Sequence, residues 1–296
     1  MRKDLLLGLS VLCLFVFLPS LIAAQETSRF EKLVPLHQPK KDQGPYSWLA
    51  THEEPGQTFS EYTASRPVMP DKKHPYIYIV LLGDFNEAQQ KVLQMTSRYI
   101  EVYFQTPVKF SEPIPLSLVP PEARRIHPQT NDPQILTTDV IEKILKPRMP
   151  QDAFCFIAFT SSDLWPGEGW NFVFGQASME DRIGVWSIYR NGDPRKGKDD
   201  FALCLRRAIQ TGTHEIGHLF GLAHCVYYEC NMNGSNSRQE SDRRPLWDCP
   251  VCLRKLTWAL KIDPADRYRQ LTAICKEFRL AREEEFFAKS LKALTE

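Results

Sequence analysis

From His214 to His224 the chain reads His-Glu-Ile-Gly-His-Leu-Phe-Gly-Leu-Ala-His, and no other segment restricts the local fold so tightly. Residues four apart on a helix sit about one turn apart on the same face. His214 and His218 can therefore offer two imidazole nitrogens to a single ion. Glu215 follows the first histidine, within reach of a water on that ion but off the line of the two rings. Gly221 is expected to end the helix at positive φ, which lets the backbone reverse and bring His224 back as a third ligand. Three neutral imidazoles leave one position of a tetrahedral Zn²⁺ open, the arrangement of a catalytic rather than a structural zinc. Two surface histidines beside an acid arise by chance on many helices. Gly221 and His224 at these offsets set this segment apart.

A second ligand set follows at once. Cys225 and Cys230, then Cys249 and Cys252, have the spacing of two thiolate knuckles that close a tetrahedral four-cysteine zinc site. Two disulfides compete with this reading, because the chain looks exported, and so do four buried small hydrophobes. Met232 lies between the second and third cysteines, and the run Arg243-Arg244-Pro245-Leu246-Trp247-Asp248 leads into Cys249. With these features the segment resembles the archaemetzincins (archaelysins) among the metzincin metallopeptidases. Sixteen residues separate Met232 from Cys249, one fewer than in the family pattern, a difference that a surface loop absorbs.

The resemblance covers residues 76–275, with its specific motifs in 214–256. It implies an α+β fold: a metzincin-like zincin with a mixed twisted sheet, an active-site helix and a helical C-terminal subdomain carrying the four-cysteine zinc. It also implies hydrolysis of peptides, with two zinc ions per chain. Met232 becomes a hydrophobic floor beneath the catalytic metal, without a bond to it. Residues 172–177, with Phe172, Phe174 and Gly175, become the upper edge of the cleft and hold a peptide as an added antiparallel strand.

The N-terminus reads differently. Arg2 and Lys3 precede an apolar run over residues 5–22, followed by Ala23-Ala24 and polar sequence, the pattern of a secretory signal peptide occupying 1–24. The run is long for a signal, so a membrane anchor over 5–22 is the alternative. Cleavage predicts a secreted or periplasmic monomer with no membrane contact. A net charge of +1, from 37 basic and 36 acidic side chains, argues against a nucleic-acid partner.

Residues 25–75 carry seven prolines and no sustained hydrophobic period. They predict an extended segment wrapped over the rest, with one short helix over 59–65. The segment has no cysteine, which argues against a thiol-switch prosegment; His52 or an acid in this stretch remains able to reach the metal. The catalytic domain is expected over 76–296. Its pattern predicts strands at 76–82, 107–110, 153–159, 171–174 and 184–189. Helices are expected over 87–103, 137–145 (capped by Thr137 or Thr138), 201–219, 250–260 and 266–289, with a loop-rich insertion at 112–135. Leu205, Ala208, Ile209, Gly212, Ile216 and Leu219 form the inward stripe of the 201–219 helix. Cys155, Cys204 and Cys275 read as buried thiols, and charges over 279–285 as a solvated helix face.

In this reading Glu215 is the general base that takes a proton from the attacking water and returns it to the leaving amine. Tyr227 and Tyr228 are near in sequence, but neither is assigned to the oxyanion. The alternative is a zinc-binding protein with little turnover that recognises a peptide or protein partner. An intact Glu215 beside three ligands speaks against it.

Overall fold

Uninterrupted runs of aromatic and β-branched residues form the central strands of this molecule. The computed structural model describes residues 28–41 and 44–296; the leader expected at 1–24 and the alternative anchor at 5–22 lie outside the described residues. The strands are β1 (Tyr76–Leu82), β2 (Val108–Phe110), β3 (Arg124–Ile126), β4 (Pro133–Leu136), β5 (Ala153–Thr160), β6 (Asp163–Trp165), β7 (Gly175–Ser178) and β8 (Ile183–Ser187). One sheet is ordered β2-β1-β5-β8-β7. Its first four strands are parallel, and β7 alone runs antiparallel, against β8 from Gly175↔Trp186 to Ser178↔Ile183. β5 is buried at every position, so its sequence does not alternate. One of its faces contributes Cys155, Ile157 and Phe159 to the main core, the other Phe156 and Ala158 to a smaller one.

The helices are α1 (Phe59–Ala64), α2 (Glu87–Phe104), α3 (Lys198–Leu219), α4 (Arg238–Arg243), α5 (Pro250–Leu260), α6 (Pro264–Phe278) and α7 (Ala281–Thr295). The inward stripe expected of α3 is buried throughout. Trp186 of β8 ties the sheet to this helix by donating its Nε1–H to Thr211 O at 3.2 Å. A Cβ on Gly212 would sit 3.2 Å from Ile100 of α2, so the two helices cross closely at that glycine. Among the described residues no helix is long and apolar enough to cross a membrane. Cys155, Cys204 and Cys275 are buried free thiols.

Several expected elements differ in detail. The strand expected at 171–174 is displaced to β7; residues 171–174 are irregular apart from one bridge, Leu164↔Val173. Phe172 and Phe174 lie instead under the guanidinium groups of Arg190 and Arg238, each 3.7 Å from the ring centre. The helix at 137–145 is one α turn that widens into a π-helix over Val140–Leu145. Its N-cap is Leu136, because the Thr137 hydroxyl is used elsewhere, on Trp165 O and the Gln176 side chain. The insertion at 112–135 is more ordered than expected, since β3 and β4 join β6 in a second, three-stranded sheet. The long helix at 266–289 is two helices. Arg279 takes a left-handed φ of +59°, and Leu280 N closes the turn on Cys275 O at 2.9 Å. A C-cap built on arginine instead of glycine carries no sequence signal.

Residues of the N-terminal segment make hydrogen bonds to the later part of the chain. α1 forms where expected, with a capping box in which Thr58 accepts from Glu61 N and the Glu61 carboxylate accepts from Thr58 N. Upstream, Gln38 O accepts from Glu229 N at 2.8 Å and Lys40 N donates to Tyr227 O at 3.0 Å. A further helical turn at Trp48–Thr51 had no sequence signal.

The loop that leads into Cys249 rests on α6 through one fully buried ion pair. Arg267 donates from Nη2 to Asp248 Oδ2 at 3.0 Å and from Nε to Tyr103 O at 2.7 Å. Removing one partner of such a pair strands the other charge in the core. Asp248→Ala is therefore expected to lose about 3–5 kcal/mol in a denaturant titration, well beyond a typical surface substitution.

Candidate active site

α3 places His214 and His218 one turn apart, with their Nε2 atoms 3.2 Å from each other. The chain then leaves the helix at Gly221, whose φ is +82°, in the left-handed region that this glycine was expected to supply. A Cβ there would also come within 2.8 Å of Pro67 from the N-terminal segment. The reversal brings His224 back, and one nitrogen from each of the three rings falls within a 4.8 Å cluster.

The other ring nitrogens determine what this cluster can bind. His214 Nδ1 lies 2.8 Å from Asn231 O, His218 Nδ1 lies 2.6 Å from Leu222 O, and His224 Nδ1 lies 2.7 Å from Glu54 Oε1. Carbonyl and carboxylate oxygens only accept, so all three Nδ1 atoms carry the proton. The three Nε2 lone pairs are then left facing one point. Arg244 Nη1 also approaches His214 Nδ1, at 3.0 Å, but both atoms are donors in this tautomer. The guanidinium is held instead by Asn233 O at 2.5 Å. Burial holds His214 well below the usual imidazole value and pushes His218 down to about 3. Both rings are neutral, as a metal requires.

Met232 lies beneath this helix and is fully buried. A Cβ on Gly217 would fall 2.6 Å from its sulfur, so any side chain at the second variable position of the His-Glu-x-x-His segment would have to displace the methionine. Cys225 N donates to Met232 O at 2.7 Å, which fixes the methionine turn against the end of the third-ligand loop.

A cleft of about 540 Å³ opens over the histidines, lined among others by Trp48, Phe172, Phe174, Gly175, Glu215 and Arg244. Burial pushes the Glu215 carboxyl up to about 7, with the Arg244 charge opposing the shift. A divalent cation beside it would pull the value down further. Tyr227 and Tyr228 do not line the cleft; they flank a separate apolar groove with Val251 and Phe30.

The four cysteines form the second cluster, buried, with their sulfur atoms within 4.8 Å of one another. Cys225 and Cys249 stand 3.5 Å apart, too far for a disulfide, and all four are free thiols. Backbone N–H groups point at the sulfurs: Cys249 N at Cys230 Sγ, 3.2 Å, and Cys252 N at Cys249 Sγ, 3.5 Å. Cys249 is the N-cap of α5 with Pro250 at its first position, so the positive end of the helix faces the thiolates. Amide donors and a helix N-terminus suit a zinc tetrathiolate, as the three aligned Nε2 atoms suit a zinc with an open position.

Three residues in and around this site were not singled out from the sequence. Trp48 and Glu54 lie more than 150 positions from the histidines, and no spacing rule connects them. Arg244 stands in the run quoted above, but nothing in sequence separates it from Arg243, which does not line the cleft.

Comparison with known proteins gives the same picture. The pattern of peptidase family M54 matches residues 138–258. Archaemetzincin-2 of Macaca fascicularis is 35% identical over 258 residues, covering 77% of this chain and 71% of that protein. Human archaemetzincin-2 is 36% identical over the same shares, and human archaemetzincin-1 is 29% identical over 76% of this chain and 51% of its own. The crystal structure of an archaemetzincin from Methanopyrus kandleri superposes with a TM-score of 0.51 at 28% identity, covering 66% of this chain and all of that one.

The two clusters predict separable metal content. Metal analysis of the purified protein should find about two zinc ions per chain, from one closed and one open site. His218→Ala and Cys252→Ser should each retain about one. Cys252→Ser should in addition melt at a lower temperature, since a closed thiolate site couples its binding energy to folding.

Proposed function

The chain belongs to peptidase family M54, the archaemetzincins, and on that premise we propose that it hydrolyses peptide bonds at the His214–His218–His224 centre with Glu215 as general base. It is a zinc metallopeptidase. The observation that carries the assignment of residues is the tautomer argument: three Nδ1–H groups are each fixed by an oxygen, and three Nε2 atoms converge.

Zinc held by His214, His218 and His224 would supply a Lewis acid that lowers the pKa of a bound water and polarises the scissile carbonyl. Glu215 takes a proton from the attacking water and passes it to the leaving amine, work typically worth roughly 10²- to 10⁴-fold. Burial supports that role by keeping the carboxylate a stronger base than an exposed glutamate. A second zinc, held by Cys225, Cys230, Cys249 and Cys252, braces the loop between His224 and α5 and takes no part in the chemistry.

The substrate's place follows from the sheet. β7 is the antiparallel edge strand and borders the cleft, so an extended peptide can add to it as a further strand. Phe172 and Phe174, held under their arginines, give that edge an apolar wall. Gly175, where a Cβ would lie 3.0 Å from the Trp186 ring, keeps the strand close to β8. This edge strand above a histidine helix, with Met232 below, supports a metzincin-like reading of the domain at 76–296. Removal of residues 1–24 would deliver a secreted or periplasmic monomer; what supports it is the basic start, apolar run and small-residue end of that segment.

Glu215→Ala tests the chemistry, because this side chain acts on water and makes no bond to the metal. The variant should keep both zinc ions and the parent's melting temperature while losing peptide hydrolysis to the background rate. Hydrolysis persisting near the parent rate would place the general base elsewhere.

A further inference from the structure

We propose that the N-terminal segment is a permanent part of the metal centre, with Glu54 as the positioning residue that orients His224. The inference rests on His224 being the third zinc ligand.

The three imidazoles are not anchored alike. His214 and His218 lie on α3, and their Nδ1 atoms meet backbone carbonyls of the turns that follow it, Asn231 O and Leu222 O. Both rings would be oriented by the catalytic domain alone. His224 lies beyond the helix on a reversing loop and meets no such carbonyl. Its Nδ1 donates to the Glu54 carboxylate, 170 positions away, at 2.7 Å. This acceptor is charged, so it both fixes the tautomer and makes Nε2 a stronger donor to a cation. The second carboxylate oxygen, Glu54 Oε2, is buried with no hydrogen-bond partner among the described residues. The Glu54 charge is therefore directed at His224 and not shared with another donor.

The segment around Glu54 grips the same loop at further points. The Gln57 side chain donates to Gly221 O and accepts from Ala223 N, both at 3.2 Å, on either side of the reversal. Tyr62 donates its hydroxyl to Phe220 O at 2.8 Å. Trp48 stands edge-on to the His224 ring, with centroids 5.0 Å apart, and is itself stacked on His52 at 3.8 Å. Gln57 is in turn held by Lys255, a buried lysine of α5, through its backbone carbonyl and at 3.1 Å through its side chain. α5 is the helix that opens with Cys249 and Cys252. A removable cover would shield the metal from the cleft side alone. This segment reaches the cleft with Trp48, and it also holds the back of a ligand and bridges the supports of both clusters.

Cobalt substitution of the full-length protein separates the two sites, because a four-thiolate cobalt centre absorbs strongly by charge transfer while a three-imidazole centre shows only weak d–d bands. Glu54→Ala should shift the d–d bands and weaken metal binding at the histidines by about 10- to 100-fold in chelator competition. The thiolate absorption and the melting temperature of the metal-free protein should stay those of the parent. Glu54→Gln, which keeps an acceptor oxygen without the charge, should recover part of the lost affinity and the parent band positions. An affinity for Glu54→Ala within twofold of the parent, with unchanged bands, overturns the positioning role. A parent that takes up cobalt only at the cysteines overturns the three-histidine reading itself.

Discussion

A metal site made of three histidines works only if each ring presents an unprotonated nitrogen to the same point, and in this protein that condition is met by three hydrogen bonds on the far side of the rings. Asn231 O, Leu222 O and Glu54 Oε1 each take an Nδ1 proton. Each acceptor needs its own support. Asn231 is fixed because Cys225 N and Met232 O close the turn beside it, and because its amide donates to Thr213 Oγ1 at 3.0 Å. Leu222 is fixed by the left-handed Gly221, and Glu54 by the clasp of the N-terminal segment. The helix, the reversal, the methionine turn and the wrapping segment are all parts of one tautomer-setting frame.

The two clusters are adjacent in the chain for a physical reason. Cys225 directly follows His224, so a metal held by four thiolates pins the loop one residue beyond the third imidazole. Without a cation the sulfurs are mutually hostile. Hydrogen bonds from Cys230, then Cys249 and Cys252, draw the Cys225 thiol well below the usual value, while the same crowding holds Cys252 well above it. A metal bound there would resolve this by taking all four as thiolates with release of protons, which would make the binding energy of the site available to the fold. The buried Arg267–Asp248 pair acts on the same loop from the other side, since Asp248 precedes Cys249.

What was legible in the sequence follows the range of the forces involved. The spacing of His214, His218 and His224 is set by helix geometry plus one glycine, and local rules of that kind survive folding intact. The same holds for the central strands β1 and β5, whose apolar runs have no other use, and for the capping box at Thr58 and Glu61. The cysteine spacings left a disulfide reading open; in the structure the four thiols are free and gathered into one cluster. The missed features are long-range or atypical. Thr137 exchanged its capping role for partners on other strands, and Arg279 ended a helix in a conformation usually left to glycine. Phe172 and Phe174 alternate as strand residues do, yet they lie just before β7, each under an arginine.

Glu54 shows the limit most plainly. His52 or an acid in the N-terminal stretch was expected only to be able to reach the metal, with no residue singled out among the acids. Its position behind His224 depends on Gln57 bridging Gly221, Ala223 and Lys255, a set of contacts drawn from three distant parts of the chain. None of these residues has a recognisable spacing to the next. The proline-rich character that made the segment read as extended also suits it to this work. Prolines limit the freedom lost on ordering a chain that must cross a surface without secondary structure of its own. Pro67 shows this directly, packing where a Cβ on Gly221 would otherwise stand. The segment therefore belongs to the metal centre by contact, though it lies outside the motif by sequence.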